Sequence, residues 1–253
     1  MASYADGKIL SESSGPVTTV IINRPEVRNA LDNQAARGLA EAFRDFAADE
    51  GQRVAVLTGA EGAFCAGADL KEVATDDNYL AWAGDADGPT HPTLEKPVIA
   101  AVEGHACAGG LGVALWCDIR VVDETAVFGV FSRRWGVPMS DGTTVRLPRL
   151  IGMGRATDMM MTARFVEAKE AYDIGLLSRL VAEDELDDAV LTLADSFAKG
   201  PSRALAVTKN AIRRSMDNDM NGEFDYEIFA QVQCLQSETH RERVAAFFKK
   251  NGD

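Results

Sequence analysis

The chain is poor in the residues that commit a protein to redox, metal or nucleic-acid chemistry. Its 253 residues include four cysteines, and none of Cys65, Cys107, Cys117 and Cys234 forms a C-x-x-C pair. Nor do they group with the three histidines at zinc-like spacing. They fall in small-residue or apolar segments, so packing is their expected role, and neither a disulfide nor a metal site is expected. Basic residues are also short: 26 Lys and Arg stand against 39 Asp and Glu, a net charge of −13. That balance argues against nucleic acid as a partner, because neutralising phosphates needs a basic surface. Any phosphate-bearing ligand has to be met by a local basic patch. No apolar run approaches the roughly 18 residues of a membrane span. Met1 to Leu10 carries Asp6 and Lys8 and lacks the apolar core of a secretory signal, so cytoplasmic residence is the expectation.

The rest reads as an ordinary soluble protein, with 46% hydrophobic and 26% charged residues. Val17 to Asn23 is β-branched and runs into Arg24-Pro25, a strand entering a turn. Asp32 is placed to cap a helix whose apolar or small positions are Ala35, Leu39, Ala42, Phe43 and Phe46. Arg53 to Thr58 and Val98 to Val102 read as buried strands, and Ile119 to Val122 and Ala126 to Phe128 as further ones. The stretch 76–96 is polar and rich in Gly, Pro and Asp, and is expected to be mobile. From Arg155 onward the pattern is helical, through Asp184 to Ala198, Ser202 to Ser215 and Glu223 to Glu238. Alternation of strand and helix in the first 150 or so residues predicts an α/β fold with largely parallel strands.

Two strand–loop–helix units carry small-residue loops, Phe64 to Asp69 and Gly104 to Gly112. The N-terminus of a helix presents unpaired backbone N–H groups with partial positive charge, and small side chains let a ligand approach them. Two such amides aimed at one carbonyl oxygen make an oxyanion hole. Periodicity alone leaves open whether the loops converge or merely terminate their strands.

The successive stretches NRPEVRNAL (Asn23 to Leu31), FCAGADLKE (Phe64 to Glu72), KPVIAAVEGHACAGGLG (Lys96 to Gly112), CDIR (Cys117 to Arg120), RLPRLIG (Arg146 to Gly152) and ALAVTKNAI (Ala204 to Ile212) resemble the ordered signatures of the crotonase, or enoyl-CoA hydratase/isomerase, superfamily. The resemblance spans nearly the whole chain. It implies an α/β spiral of ββα units over 1–195 and a helical trimerisation region over 196–253. It also implies a homotrimer, often paired into a hexamer, acting on an acyl-CoA thioester, with CoA arriving as part of the substrate and no other cofactor. Carried onto this sequence, the oxyanion donors are the N–H groups of Ala68 and Gly109. The CoA contacts fall on Arg28, Ala66, Asp69, Leu70 and Lys71, with Lys249 and Lys250 resembling a tail that reaches a neighbouring subunit's CoA. Each of these basic groups also reads as a solvated surface charge, and Asp69 as a cap on its helix.

The resemblance breaks at the proton-transfer groups. Hydratases of the family use two glutamates, and the matching positions here are Gly112 and Ser132. Glycine moves no proton, and serine has no suitable pKa without an activating base. Efficient ordinary hydration is therefore not expected, and Gly112 reads either as room for a bulkier acyl group or for water, or as loss of an ancestral activity. The nearest substitute is Asp141, in a loop where some isomerases and 4-chlorobenzoyl-CoA dehalogenase carry functional carboxylates. Asp141 also suits the cap of a helix beginning near Thr143. Glu103 reads as a loop hydrogen bond and Asp118 as a brace of the fold. His91 and His105 read as surface groups or proton carriers, and Arg133, Arg134 and Trp135 as acyl-pocket or surface residues. Two functions remain open: an acyl-CoA lyase or isomerase that stabilises a thioester enolate, and a catalytically silent acyl-CoA-binding protein that keeps the oxyanion hole as a carbonyl clamp.

Overall fold

The computed structural model describes residues 1–76, 82, 87–91 and 93–251, so the polar stretch 76–96 falls partly outside the described residues. The strands are β1 (Ala2–Tyr4), β2 (Ile9–Ser14), β3 (Val17–Ile22), β4 (Val54–Gly59), β5 (Val98–Val102), β6 (His105–Cys107), β7 (Ile119–Asp123), β8 (Val127–Gly129), β9 (Val166–Glu167) and β10 (Arg179–Val181). The helices are α1 (Asn33–Ala48), α2 (Leu70–Thr75), α3 (Gly109–Trp116), α4 (Thr143–Ile151), α5 (Met153–Thr162), α6 (Ala168–Asp173), α7 (Leu186–Ala198), α8 (Ser202–Arg214), α9 (Met220–Leu235) and α10 (Glu238–Asn251).

Seven strands form one sheet in the order β1-β2-β3-β4-β5-β7-β10. The pairs from β3 to β10 are parallel, as the alternating pattern predicts, while β1 and β2 add an antiparallel edge. A smaller sheet, β6-β8-β9, stands beside it. β5 is apolar throughout and β4 nearly so, because both faces are covered. Ala55, Leu57, Ala100 and Val102 enter the larger core with Leu39 and Phe43 of α1. The alternate residues Val54, Val56, Ile99, Ala101 and Val121 pack against Leu186, Val190 and Leu193 of α7.

Local signals explain several boundaries. Asp32 caps α1 by accepting from the Ala35 N–H at 2.7 Å, and Ala35, Leu39, Ala42, Phe43 and Phe46 are buried as predicted. Asp118 braces the fold by accepting from Val98 N at 2.8 Å and from Lys209 Nζ at 2.6 Å, which ties α8 to the sheet. The adjacent Arg120 is buried, and it donates to the carbonyls of Cys117 and Leu176 at 2.9 Å each.

Other elements depart from the sequence reading. β1 and β2 form an N-terminal hairpin that was not expected, and β9 and β10 interrupt the region read as purely helical. The second glycine-rich stretch, read as a loop from Gly104 to Gly112, contains β6, and its helix begins within it at Gly109. Glycine is a poor helix former, yet Gly110 packs so closely on Cys65 that a Cβ would overlap the Cys65 carbonyl. Tertiary contact overrides propensity there.

Cys65, Cys107 and Cys117 are buried, and burial pushes each thiol up to about 12. Thiol reagents attack the thiolate, so these groups are protected twice over. In a thiol titration only Cys234, which is half-buried, is expected to react in the native protein, with all four reacting after denaturation. A second fast-reacting thiol under native conditions would mean that the glycine-rich loops open readily.

The C-terminal helices present much apolar surface. Phe224, Ile228 and Phe229 of α9 are more than half exposed in the single chain, and so is Phe247 of α10. Among the described residues no helix is long and apolar enough to cross a membrane.

Candidate functional site

The first glycine-rich loop is built by the turn that follows β3. Asn29 is fully buried, and its side-chain amide donates to the carbonyls of Ala60 and Ala63 while its Oδ1 accepts from Arg24 N. The loop then makes short ladders on both sides. Leu31 N donates to Gly67 O at 2.7 Å, and Asp69 N to Leu31 O at 2.9 Å. On the other side Cys65 N donates to His105 O at 2.7 Å, and Cys107 N returns to Cys65 O at 3.0 Å. Glu103 accepts from Gly62 N at 3.1 Å, the loop hydrogen bond expected of it.

These ladders bring the two loops together. Gly67 has φ +102°, and a Cβ placed on it would stand 2.9 Å from the Gly109 nitrogen. Ala108, at the junction, has φ +50° and ψ −123°, a conformation that costs a non-glycine residue about 1–3 kcal/mol. It is held there by donating its N–H to Gly129 O of β8 at 2.8 Å. This strained residue immediately precedes Gly109, the first residue of α3, whose N–H lies at the open end of that helix. Neither Ala68 N–H nor Gly109 N–H donates to a protein acceptor among the described residues.

Both residues line a cavity of about 870 Å³. Its walls also include Arg28, Ala66, Asp69, Leu70, Lys71, Ser132 and Asp141, together with apolar Trp82, Phe131, Trp135, Val137 and Met139. Arg28 and Lys71 stand exposed at this cavity. Asp69 is committed elsewhere: Oδ2 pairs with Arg24 at 2.8 Å, and Oδ1 caps α2 through Lys71 N at 3.0 Å. Lys249 is exposed on α10 and does not line its own chain's cavity; the side chain of Lys250 lies outside the described residues.

Asp141 fills the capping role and also lines the cavity. Its Oδ1 accepts from Thr143 N at 2.9 Å and so caps α4, while Oδ2 is buried without a hydrogen-bond partner. The residue is 3% exposed and packs on the face of α3. A Cβ built on Gly112 would stand well under 3.0 Å from both Oδ2 and Cγ of Asp141. The carboxylate therefore fills the space that a side chain at position 112 would need. Burial pushes the Asp141 carboxyl above the usual range, against the opposing pull of the Thr143 bonds and the Arg146 charge.

Sequence reasoning passed over Trp82, Arg24 and Asn29. Trp82 is 5% exposed and lies so close that a Cβ on Gly109 would meet its ring at 2.8 Å. A tryptophan in a mostly polar stretch was the available signal. His105 lies in β6 and His91 is exposed, and neither lines the cavity. A second cavity, about 690 Å³, contains Arg53, Lys96, Lys209 and Arg213 but none of the loop residues. Lys96 there donates to the carbonyls of Phe46 and Asp49, and Lys209 is paired with Asp118.

Two amide-bearing loops converge on one cavity, and the enoyl-CoA hydratase/isomerase family model matches residues 12–252. The chain belongs to the enoyl-CoA hydratase/isomerase family. It is 33% identical over 247 residues to the short-chain-enoyl-CoA hydratase of Clostridium acetobutylicum, covering 96% of this chain and 95% of that one. It is 36% identical over 244 residues to a probable enoyl-CoA hydratase of Rhizobium meliloti, with the same coverage of 96% and 95%. Among solved structures, the enoyl-CoA hydratase subunit I of Geobacillus kaustophilus superimposes with a TM-score of 0.90 at 35% identity, over 96% of this chain and 95% of the other. The enoyl-CoA hydratase of Mycobacterium tuberculosis also gives 0.90, at 32% identity and 96% of both chains. The fold is thus the crotonase-like α/β spiral with C-terminal helices. As a member of this family the protein is an acyl-CoA enzyme.

Proposed function

We propose that the chain forms a thioester enolate on a bound acyl-CoA, with the amides of Ala68 and Gly109 as the oxyanion hole and Asp141 as the proton-transfer group. The observation that carries this reading is the free Oδ2 of Asp141, a buried oxygen without a partner at the wall of the cavity that both amides line. A donor of this kind contributes about 3–4 kcal/mol to the stabilisation of a developing oxyanion. Arg28 and Lys71 supply the local positive charge that the nucleotide phosphates need on an acidic protein.

The number of acid–base groups bears on the reaction. Ordinary hydration needs one group to activate water and another to handle the α-carbon proton. Among the described lining residues, Asp69 is bound to Arg24, Glu26 is exposed, and Asp141 is the buried carboxylate with a free oxygen. Migration of a double bond in an enoyl thioester needs one carboxylate. It removes a proton from one carbon, the enolate electrons shift along the chain, and the carboxyl returns a proton, either the same one or one exchanged with solvent, at the carbon two positions away. Isomerisation is therefore favoured over hydration. The exposed apolar faces of α9 and α10 fit a homotrimer or hexamer, in which Lys249 reaches a neighbour's CoA.

The test is a panel of CoA thioesters (3-enoyl, 2-enoyl, 3-hydroxy, aryl and branched) incubated in D2O and followed by mass spectrometry. Double-bond migration or deuterium at the α or γ carbon is the expected result. Binding of the whole panel with neither outcome would overturn the enzyme reading in favour of a silent acyl-CoA-binding protein.

A further inference from the structure

We propose that Arg146 is the positioning residue for Asp141, holding the loop that carries the carboxylate and supplying a positive charge beside it; this rests on the reading of Asp141 as the proton-transfer group. Arg146 lies on the first turns of α4 and reaches back under the loop. Its Nη1 donates to the Asp141 carbonyl and its Nη2 to the Thr90 carbonyl, each at 2.8 Å. One planar guanidinium thus ties together two segments that are distant in sequence. Thr90 is itself 2% exposed, so both ends of the clamp are packed. The intervening Gly142 has φ +83°, and a Cβ there would overlap the guanidinium. The loop is shaped to admit this side chain.

Both bonds go to neutral carbonyls, so they leave the guanidinium's charge in place. The groups that face the pair are few. Asp141 meets Thr143 and Arg146 from α4 and the bare backbone of Gly112 from α3. Arg146 in turn feels Arg213 of α8, itself held by Asp118, and the neutral Cys117 thiol at the end of α3. A carboxylate this buried favours its protonated form; the hydrogen bonds from Thr143 oppose that most, and the Arg146 charge adds to them. The result is a group held in one place, with a cation beside it that favours its ionised form. A lysine would keep the charge but lose the planar fork that spans two carbonyls.

The test compares Arg146→Gln and Arg146→Lys with the wild-type protein, using whichever thioester the panel above identifies. Arg146→Gln is expected to lower kcat by about 10²-fold with little change in KM, because a misplaced catalytic group costs rate rather than binding. Its acidic pH limb is expected to move to higher pH, since a carboxyl without its neighbouring cation ionises later. Arg146→Lys is expected to lose rate while leaving that limb close to its wild-type position. A folded Arg146→Gln with an unmoved limb would overturn the electrostatic role, and wild-type kcat in Arg146→Lys would overturn the positioning role. If Arg146→Gln fails to fold, the lysine variant still decides. Absence of turnover in the wild-type protein across the panel would instead count against the reading of Asp141.

Discussion

Asp141→Asn is expected to reduce turnover by about 10²–10⁴-fold, the usual consequence of removing a general acid or base, and to make the protein more stable at neutral pH. The two effects share one cause. Burial raises the Asp141 carboxyl above its ordinary value, so the folded protein binds this proton more tightly than the unfolded chain does. The contribution to stability is therefore fully present below the unfolded value of about 4, and it is lost as pH rises through the raised folded value. Above that window the wild-type protein carries an ionised carboxylate with one buried oxygen left unpartnered. Asparagine keeps the oxygen that accepts from Thr143 N and has no charge to lose. Thermal denaturation from pH 4 to 8 should show the variant gaining on the wild type as pH rises. If the variant is less stable than the wild type at pH 8, the carboxylate is better satisfied than its surroundings indicate. If turnover is unchanged, Asp141 is only a helix cap.

Gly112→Ala is expected to be nearly as damaging to activity, through a different route. A single methyl at this position falls within the volume of the Asp141 carboxylate. The carboxylate is tethered to Thr143 N and buried, so it yields only by breaking its cap. Overpacking of this kind costs about 1–3 kcal/mol, and the carboxylate loses its place at the cavity wall. The loss should be non-additive with loss of the carboxylate, because the two residues are in contact. In an Asp141→Gly background the added methyl should cost much less stability than it does alone, while activity stays low. A Gly112→Ala protein with wild-type stability and turnover would show that the carboxylate does not depend on the bare backbone of α3. Both predictions treat residues 112 and 141 as one device: the glycine makes room, and the loop aspartate fills it.

Much of the scaffold was legible in the chain. The β-branched run Val17 to Asn23, the buried runs at 53–58 and 98–102, and the cap at Asp32 each declare their local structure through side-chain shape and hydrogen-bonding capacity. The parallel core followed from their alternation with helices. β1, β2, β6, β9 and β10 were not legible. β1, β6, β9 and β10 are two or three residues long, and segments so short owe their strand character to the strands beside them. In the site, Ala68, Gly109 and the residues around them came from the order of the motifs. Arg24 and Asn29, which build the first loop, lay inside a recognised stretch, but their targets at Asp69, Ala60 and Ala63 are distant in sequence.

The division has a physical basis. The sequence by itself determined the family, the alternating α/β core, the small-residue loops and the absence of any side chain at position 112. Those are matters of composition, order and local propensity. Only the tertiary structure decided that the two loops converge, with Gly67 against the Gly109 nitrogen, and that Asp141 reaches across to Gly112. A glycine carries no information about what will occupy the space it leaves. That space becomes visible only when the helix holding the glycine is packed against the loop holding the carboxylate.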